Sequence, residues 1–235
     1  SFIHHKEEKF TMKLKKIASL ALAGVMAVSM LTACNTASNG NTNDNDDVIV
    51  NPAPTSIVTA VNNGQSATNK VKIDFTSDAS LDAALSSAVK SVGDIGLRPE
   101  MVALMQELTG EKVGINEVDQ RTGWKEDIIN GVITRGWKLD TSVDGKVVTD
   151  MEVMYIPGLT EEAALKRAAD AIDSVVATLV DTTYNMVEAD EKYTDYSYTG
   201  TVSMVSAQTV AGTTNYYVAY TITQTTSVKT LAPQA

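Results

Sequence analysis

Cysteine and histidine are almost absent from this chain of 235 residues. The sequence has one cysteine, Cys34, and two histidines, His4 and His5. From residue 35 onward there is neither a thiol nor an imidazole, which excludes a Ser-His-Asp triad, a Cys-His dyad and a disulfide from that part of the chain. It also excludes the zinc, haem and iron–sulfur sites that depend on His or Cys ligands.

A short positive segment and an apolar run precede the cysteine. Met12 is followed by three lysines within four residues, then by the apolar run 17–30 and by Leu31-Thr32-Ala33-Cys34. This order resembles the signal peptide of a bacterial lipoprotein, whose lipobox ends in the cysteine that becomes lipidated. The apolar run is shorter than the roughly 20 residues that span a membrane. An ordinary secretory signal, or a membrane anchor with an incidental cysteine, is the alternative.

The resemblance covers residues 12–34 and implies a location and a covalent lipid. Leu31, Thr32 and Ala33 would form the lipobox, and the chain would be cut before Cys34. The Cys34 thiol would carry a diacylglycerol with acyl chains such as palmitate, and no other cofactor is expected. The lipid would hold the protein at the extracytoplasmic face of the cytoplasmic membrane.

Residues 1–11 are expected to be an untranslated extension ahead of a start at Met12. The segment Lys6-Glu7-Glu8-Lys9 can be encoded by AAG-GAG-GAA-AAA, which contains the ribosome-binding sequence AGGAGG. Such a sequence a few codons before Met12 favours a Gram-positive source. A genuine extension of the protein is the alternative.

Acidic residues dominate the chain after the signal segment. Without the five lysines and two glutamates of residues 1–33, it has 14 basic and 27 acidic residues and a formal charge of −13. That charge argues against binding of nucleic acid through its phosphates. Residues 34–56 are rich in Asn, Asp, Ser and Thr, and we interpret them as the lipidated cysteine and a flexible tether with a reach of about 25 Å. Residues 57–235 are predicted to form a single α+β domain.

Apolar spacing and capping residues predict three helices in this domain. Apolar residues recur at helical intervals over 78–93, and a second helix over 99–110 starts at a proline and ends at a glycine. A long helix over 160–188 is predicted to begin at the N-cap Thr160. Asp173 is expected on its exposed side. Its apolar stripe is expected to comprise Leu165, Ile172, Val176 and Leu179.

A first hairpin is predicted before the long helix, over 133–156. Asp144-Gly145 indicates its turn. A three-residue loop with Gly145 in the left-handed region places Trp137 opposite Met151.

A second hairpin is predicted after the long helix. Its strands, around 196–204 and 216–222, alternate apolar with hydroxyl side chains, and the chain turns near Ala211-Gly212. The expected fold is an antiparallel sheet of these two hairpins packed on the long helix, with two N-terminal helices in the same layer or at one end. The sheet face toward the helix is expected to carry Trp137, Val153, Tyr198, Val218 and Tyr220.

Carboxylates are the abundant acid–base groups. Asp140, Ser142 and Asp144 resemble the first half of an EF-hand calcium loop, but its twelfth position is Met151 and its flanks read as strands, so no metal is expected. A glycan hydrolase needs two carboxylates across a cleft. Solvated acidic surface is the simpler interpretation of two acidic groups. These groups are Glu188, Asp190, Glu191 and Asp195, and the hairpin residues Asp140, Asp150 and Glu152.

Tyrosines are concentrated near the C-terminal end, since six of the eight lie after residue 190. Tyr216 and Tyr217 must point to opposite faces of one strand. We expect Tyr216 in the core, and Tyr193 and Tyr217 are the candidates for outward binding residues.

These features favour a non-enzymatic binding or interaction module at the cell surface, with a cell-envelope glycan or protein as its partner. One alternative is a carboxylate-dependent glycan hydrolase. Another is a transporter's solute-binding lipoprotein, a class that usually has two α/β lobes. An open acidic cleft would favour the hydrolase, and a flat sheet with exposed tyrosines would favour the binding module.

Overall fold

Two strands of 17 residues run through the middle of the fold. The computed structural model describes residues 50–93, 96–117, 120–122, 128–134, 143–185, 192–209 and 211–230. The helices in these ranges are α1 Pro54–Gly64, α2 Ala79–Val92, α3 Pro99–Thr109 and α4 Glu161–Val176. The strands are β1 Val50–Pro52, β2 Phe75–Thr76, β3 Val113–Glu117, β4 Gln120–Thr122, β5 Ile128–Ile129, β6 Val132–Ile133, β7 Val147–Pro157, β8 Thr182–Asn185, β9 Lys192–Gln208 and β10 Thr214–Thr230.

One sheet contains all the described strands except the β5–β6 pair. Its order is β1-β9-β10-β7-β3-β4, and β2 and β8 also pair with β9. Strands β9 and β10 form a hairpin, and β7 is antiparallel to β10 along its whole length. The pairs β3·β7 and β2·β9 are parallel. The fold is therefore α+β with a mostly antiparallel sheet, as predicted.

Helices pack against both faces of the sheet. Helices α1 and α4 cover the face that carries Val218 and Tyr220, and α2 and α3 cover the face that carries Tyr217 and Ala219. Side chains alternate along a strand, so the even-numbered residues of β7, β9 and β10 form the first face and the odd-numbered residues form the second. We call these the α4 face and the α2 face.

Local signals explain where three of the helices begin and end. Asp78 caps α2 by accepting a hydrogen bond from the backbone N–H of Leu81 at 2.8 Å. Helix α3 begins at a proline and ends before Gly110, whose φ of +72° suits glycine. The Thr160 hydroxyl oxygen accepts from the N–H of Ala163 at 3.3 Å and caps α4. These three helices were predicted.

Helix α4 is shorter than predicted. It ends at Val176, and Thr182–Asn185 forms β8 on the outer edge of β9. The predicted apolar stripe is nevertheless confirmed: Leu165 is partly buried against the core. The exposed fractions of Ile172, Val176 and Leu179 are 0, 0 and 2 %.

The N-terminal helices α2 and α3 lie on the opposite face of the sheet from α4, so the expectation that they share its layer or close one end was wrong. Val153 also faces α2 rather than α4, because its strand register pairs it with Ala219. Tyr198, Val218 and Tyr220 face α4 as predicted. Helices thus cover parts of both faces of the sheet, whereas the predicted fold had a helical layer on one face only.

Strand β7 does not pair as the first predicted hairpin required. Gly145 does adopt a positive φ of +70°, as predicted. Met151, however, lies between Thr221 of β10 and Val113 of β3. These two neighbours leave no place beside Met151 for the cross-strand partner that the hairpin prediction assigned to it. Trp137, the expected partner, lies outside the described residues.

Strand β1 and the first residues of α1 precede residue 57, where the domain was predicted to start. Strand β1 pairs with β9, and α1 packs against α4, where Gly64 permits close approach because an added Cβ would lie 2.9 Å from that of Ala169. Both elements belong to one compact unit, Asp47–Ala235, together with the other described residues. None of the described helices is long and apolar enough to cross a membrane.

Candidate functional site: a threonine and tyrosine face

The α2 face is not covered by α2 and α3 along its whole length. Beyond these helices, its side chains on β7, β8, β9 and β10 are exposed or half-buried. We call this surface the Thr–Tyr face. It comprises Val147, Thr149, Thr182, Tyr184, Tyr193, Asp195, Ser197, Thr199, Thr201, Thr221, Thr223, Thr225, Ser227 and Lys229.

Threonine hydroxyls form rows across the strands. Thr199 of β9 pairs with Thr223 of β10, which pairs in turn with Thr149 of β7. The Oγ1 atoms of Thr149 and Thr223 are 2.9 Å apart, and those of Thr201 and Thr221 are 2.7 Å apart. Strands lie about 4.8 Å apart and successive rows about 6.8 Å apart, so the hydroxyls make a regular grid.

Tyrosines stand at one end of this grid. Tyr184, Tyr193 and Lys229 form one row across β8, β9 and β10. The two tyrosine rings have centroids 6.2 Å apart and an interplanar angle of 37°. Tyr184 is 72 % exposed, and the Nζ atom of Lys229 lies 5.6 Å from the centroid of the Tyr193 ring. The end of the face therefore offers aromatic rings held by cross-strand pairing and a cation–π contact.

The two charges on the Thr–Tyr face are paired with each other. The Lys229 Nζ donates to Asp195 Oδ2 at 2.5 Å, and the Thr182 hydroxyl donates to Asp195 Oδ1 at 3.0 Å. The hydrogen bond from Lys229, followed by that from Thr182, lowers the pKa of Asp195. The same bond to Asp195 raises the pKa of Lys229. Near neutral pH this surface therefore carries one internal ion pair and little net charge.

The local sequence explains why the face is rich in hydroxyl groups. Threonine is β-branched, and it favours strands while its hydroxyl tolerates exposure. Odd positions of 195–201 and 221–227 are Asp, Ser or Thr, whereas several even positions are apolar and face α4. The period of two thus assigns hydroxyls to one face of the hairpin.

The structure separates the two tyrosines that the sequence proposed for binding. Tyr193 lies on the Thr–Tyr face and is half-buried. Tyr217 is fully buried, so the outward orientation expected for it is wrong. Its hydroxyl accepts from the N–H of Gly96 at 3.1 Å, and its ring contacts Tyr155 at 5.1 Å between centroids. Sequence reasoning missed that α2 and α3 cover that part of the face.

Tyr184 is the residue of the site that the sequence did not predict, because the long-helix prediction extended over it. A signal was present: Thr182, Thr183 and Tyr184 are β-branched or aromatic residues, which favour strands over helices. Their positions opposite Asp195 and Tyr193 place them on the Thr–Tyr face.

Asp144 has a structural role in its turn. Its Oδ1 atom accepts from the N–H of Val228 at 2.9 Å. Asp140 and Ser142, the other two weak calcium candidates, lie outside the described residues, as do the lipobox residues 31–33 and Cys34. Within the described ranges, no group of three or more His, Cys, Asp or Glu side chains could hold a metal ion.

Two carboxylates expected on a solvated hairpin face are buried instead. Asp150 and Glu152 are 3 and 1 % exposed. They belong to the even-numbered set of β7 and therefore face the α4 layer. The Tyr220 hydroxyl donates to Glu152 Oε2 at 2.6 Å, and Asn116 Nδ2 donates to the Tyr220 oxygen at 3.0 Å. This prediction was wrong because both faces of β7 around these residues are covered in the structure, whereas the prediction left one face in solvent.

Two depressions lie away from the Thr–Tyr face. One of about 540 Å³ is lined by Leu97, Tyr155, Leu159 and Arg167 among others, with no carboxylate among its described lining residues. A wider one of about 750 Å³ between α1 and α4 includes Glu161, Glu162 and Asp170. The Asp170 carboxylate pairs with Lys166 Nζ at 2.7 Å on exposed helix surface.

Comparison with protein-family models, curated proteins and solved structures found no match. The chemistry of the face therefore rests on its own geometry. It can offer hydroxyl donors and acceptors at regular intervals and two aromatic rings at one end. Such a surface suits binding of an extended polar molecule.

Proposed function

We propose that this protein is a non-enzymatic, extracytoplasmic lipoprotein and that the Thr–Tyr face is its binding surface. The observation that carries the proposal is a partly exposed sheet surface with rows of threonine hydroxyls and two tyrosines. The sequence identified a flat sheet with exposed tyrosines as the feature that favours a binding module over a hydrolase. Burial of Asp150 and Glu152 removes one pair of carboxylates that the hydrolase alternative could have used.

The signal segment supports the location in this proposal. Cys34 is the single thiol of the chain and stands directly after Leu31-Thr32-Ala33. Two acyl chains on this cysteine would give stable attachment, whereas one chain holds a protein only marginally. Residues between Cys34 and β1 would carry the binding face away from the membrane surface.

The anchor is tested by Cys34→Ala in cells. We expect the variant to be released to the medium or left uncleaved, while the folded domain remains intact because Cys34 lies outside its elements. Membrane fractionation and the mass of the mature N-terminus measure both outcomes. Membrane retention of a processed Cys34→Ala protein would contradict lipid anchoring.

The binding surface is tested with the chain from residue 35 onward and with isolated bacterial cell envelopes. Retention on sedimented envelopes should fall at least tenfold in the double variant Tyr184→Ala and Tyr193→Ala. Leu159→Ala is the matched control, since Leu159 is 37 % exposed but lies away from the face. Circular dichroism verifies folding of each variant. Equal retention of the double variant and the wild type would refute the proposed surface.

A further inference from the structure

The dimensions of the Thr–Tyr face indicate the shape of the ligand that it could bind. From Tyr193 to Thr201 along β9 is eight residues, which correspond to about 27 Å. Across the face, β8, β9, β10 and β7 contribute neighbouring strands. The surface is therefore long and spans four strands, and it suits a chain-like ligand better than a compact one.

Its polar groups match a ligand that both donates and accepts hydrogen bonds. A threonine hydroxyl has one donor and two acceptor positions. In the pairs Thr149–Thr223 and Thr201–Thr221, one hydroxyl donates to the other. Each pair then retains one hydroxyl proton and several lone pairs for a ligand. A polyhydroxylated ligand satisfies both kinds of group.

The apolar groups of the face are too few and too scattered for a protein interface. Its exposed large apolar side chains are Val147, at 59 %, and Tyr184, at 72 %. They lie on different strands, β7 and β8, on the two sides of the β9–β10 pair. Protein interfaces are organised around a buried apolar centre with aromatic anchors. Here the centre consists of hydroxyls and the aromatic rings stand at one end.

Charge complementarity selects a neutral ligand. The Asp195 and Lys229 charges neutralise each other on the face, and the whole chain has a formal charge of −10. An anionic polymer would meet a negative protein with no unmatched cation on this surface. A neutral chain avoids this electrostatic repulsion.

We infer that the Thr–Tyr face binds an extended, neutral glycan. The sugar chain lies along β9 and β10, its hydroxyls exchange hydrogen bonds with the threonine rows, and one terminal ring stacks on Tyr184 and Tyr193. This inference rests on the proposed binding function and names the ligand class for the same surface. No bond is made or broken, since the interaction is binding alone.

The probes are the hexamers of β-1,4-linked N-acetylglucosamine and of β-1,4-linked glucose, with polygalacturonate as the anionic polymer. Titration calorimetry with the chain from residue 35 onward should detect at least one neutral hexamer and no polygalacturonate binding. The corresponding dimers should bind at least tenfold more weakly, because they span a small part of the 27 Å face. Equal affinity for dimer and hexamer, or preference for the anionic polymer, overturns the inference.

Threonine-to-valine variants test whether binding depends on the hydroxyl groups or on the shape of the side chains. Thr199→Val with Thr223→Val keeps the branched shape and removes two hydroxyls, and it should weaken hexamer binding at least tenfold. Thr59→Val is the matched control, because Thr59 is exposed on α1, far from the face. The control should bind like the wild type. Unchanged binding in the double variant overturns the inference.

The envelope assay distinguishes failure of the ligand class from failure of the proposed function. If retention on envelopes depends on Tyr184 and Tyr193 but is abolished by protease treatment of the envelopes, and neither hexamer binds, the partner is a protein and the glycan inference is overturned. If retention does not depend on the two tyrosines, the proposed binding function itself fails.

Discussion

Asp173 of α4 is hydrogen-bonded to Ser66 in the loop that follows α1. The Asp173 Oδ1 atom accepts from the backbone N–H of Ser66 at 2.8 Å and from Asn69 Nδ2 at 2.7 Å. The carboxylate thus fastens the loop 65–70 to the last turn of α4. The sequence had assigned Asp173 to the exposed side, where substitution should matter little. Sequence distance concealed this contact, because 107 residues separate the two partners.

Replacement of Asp173 by alanine should lower the free energy of unfolding by about 1–3 kcal/mol. Two hydrogen bonds to a charged acceptor are lost, and the Ser66 N–H loses its partner in a partly buried position. Urea denaturation of the chain from residue 35 onward measures the change.

Asp170→Ala is the control for that measurement. Asp170 lies one turn earlier on α4 and pairs only with Lys166 across exposed surface, where the two side chains are 61 and 74 % exposed. Exposed pairs at this spacing contribute about 0.3–0.5 kcal/mol. Equal effects at the two positions would show that the contact between Asp173 and the loop does not stabilise the fold.

Local signals in the sequence were sufficient for α2, α3, the start of α4 and the last hairpin, but not for α1 or for the end of α4. The caps at Asp78 and Thr160 act within three residues, and the β9–β10 turn contains Gly212 at φ +81°. Such features depend on near neighbours, so a sequence reveals them.

Partners of β7 could not be predicted in the same way. Gly145 has the expected positive φ, but its N–H donates to the carbonyl of Thr226 at 2.9 Å, and Val147 pairs with Thr225. The turn before β7 is therefore hydrogen-bonded to β10, which lies about 80 residues later in the sequence. No local pattern specifies this contact. The burial of Asp150 and Glu152 was missed for a related reason, since no local pattern shows that the sheet is covered on both faces.

The site itself was predictable in part. Alternation assigned the threonines of β9 and β10 to an outer face and suggested Tyr193 as an exposed aromatic residue. It could not distinguish Tyr193 from Tyr217, since both are at odd positions of their strands. The two tyrosines differ in burial because α2 and α3 cover Tyr217.

Replacement of Leu179 by alanine should lower the free energy of unfolding by about 2–5 kcal/mol. Leu179 is 2 % exposed in the core beneath α4, so truncation removes buried apolar surface and leaves a cavity. Leu159→Ala removes the same atoms from a side chain that is 37 % exposed and should cost less than about 1 kcal/mol. Thermal denaturation compares the two. A loss at Leu159 as large as that at Leu179 would mean that burial does not govern these positions.

The ion pair of the Thr–Tyr face should be visible in a carboxylate titration. The pKa of Asp195 is below its ordinary value of 3.8, chiefly through Lys229 and next through Thr182. Lys229→Met should therefore raise this pKa more than Thr182→Val does. NMR titration of the Asp195 carboxyl carbon measures both shifts. The reverse order would contradict the hydrogen bonds as described.

The same pair sets the direction of a pH effect on stability. Because the pKa of Asp195 is lowered on folding, its contribution is present above 3.8 and is lost as the pH falls through the folded-state value. Because the pKa of Lys229 is raised, its contribution is present below 10.5 and is lost as the pH rises through the folded-state value. The difference in stability between wild type and Lys229→Met should therefore be largest between these limits and shrink outside them.

Gly200 is required by the close approach of Phe75 to β9. The two residues are register partners in the parallel β2·β9 pair. A Cβ on Gly200 would lie 2.5 and 2.6 Å from Cε1 and Cδ1 of Phe75 and 3.0 Å from Cγ2 of Ile73. Phe75 and Ile73 are each 1 % exposed, so neither can move aside without disturbing the core. Gly200→Ala should therefore lower the free energy of unfolding by about 1–3 kcal/mol through overpacking.

A double-mutant cycle isolates this steric cause. Phe75→Leu removes the ring atoms that the new methyl group would meet, so the double variant Gly200→Ala, Phe75→Leu should be more stable than the sum of the two single losses predicts. Urea denaturation of the four proteins gives the coupling energy, which should exceed about 0.5 kcal/mol in the compensating direction. Additive losses would show that Gly200 is needed for a reason other than the ring of Phe75.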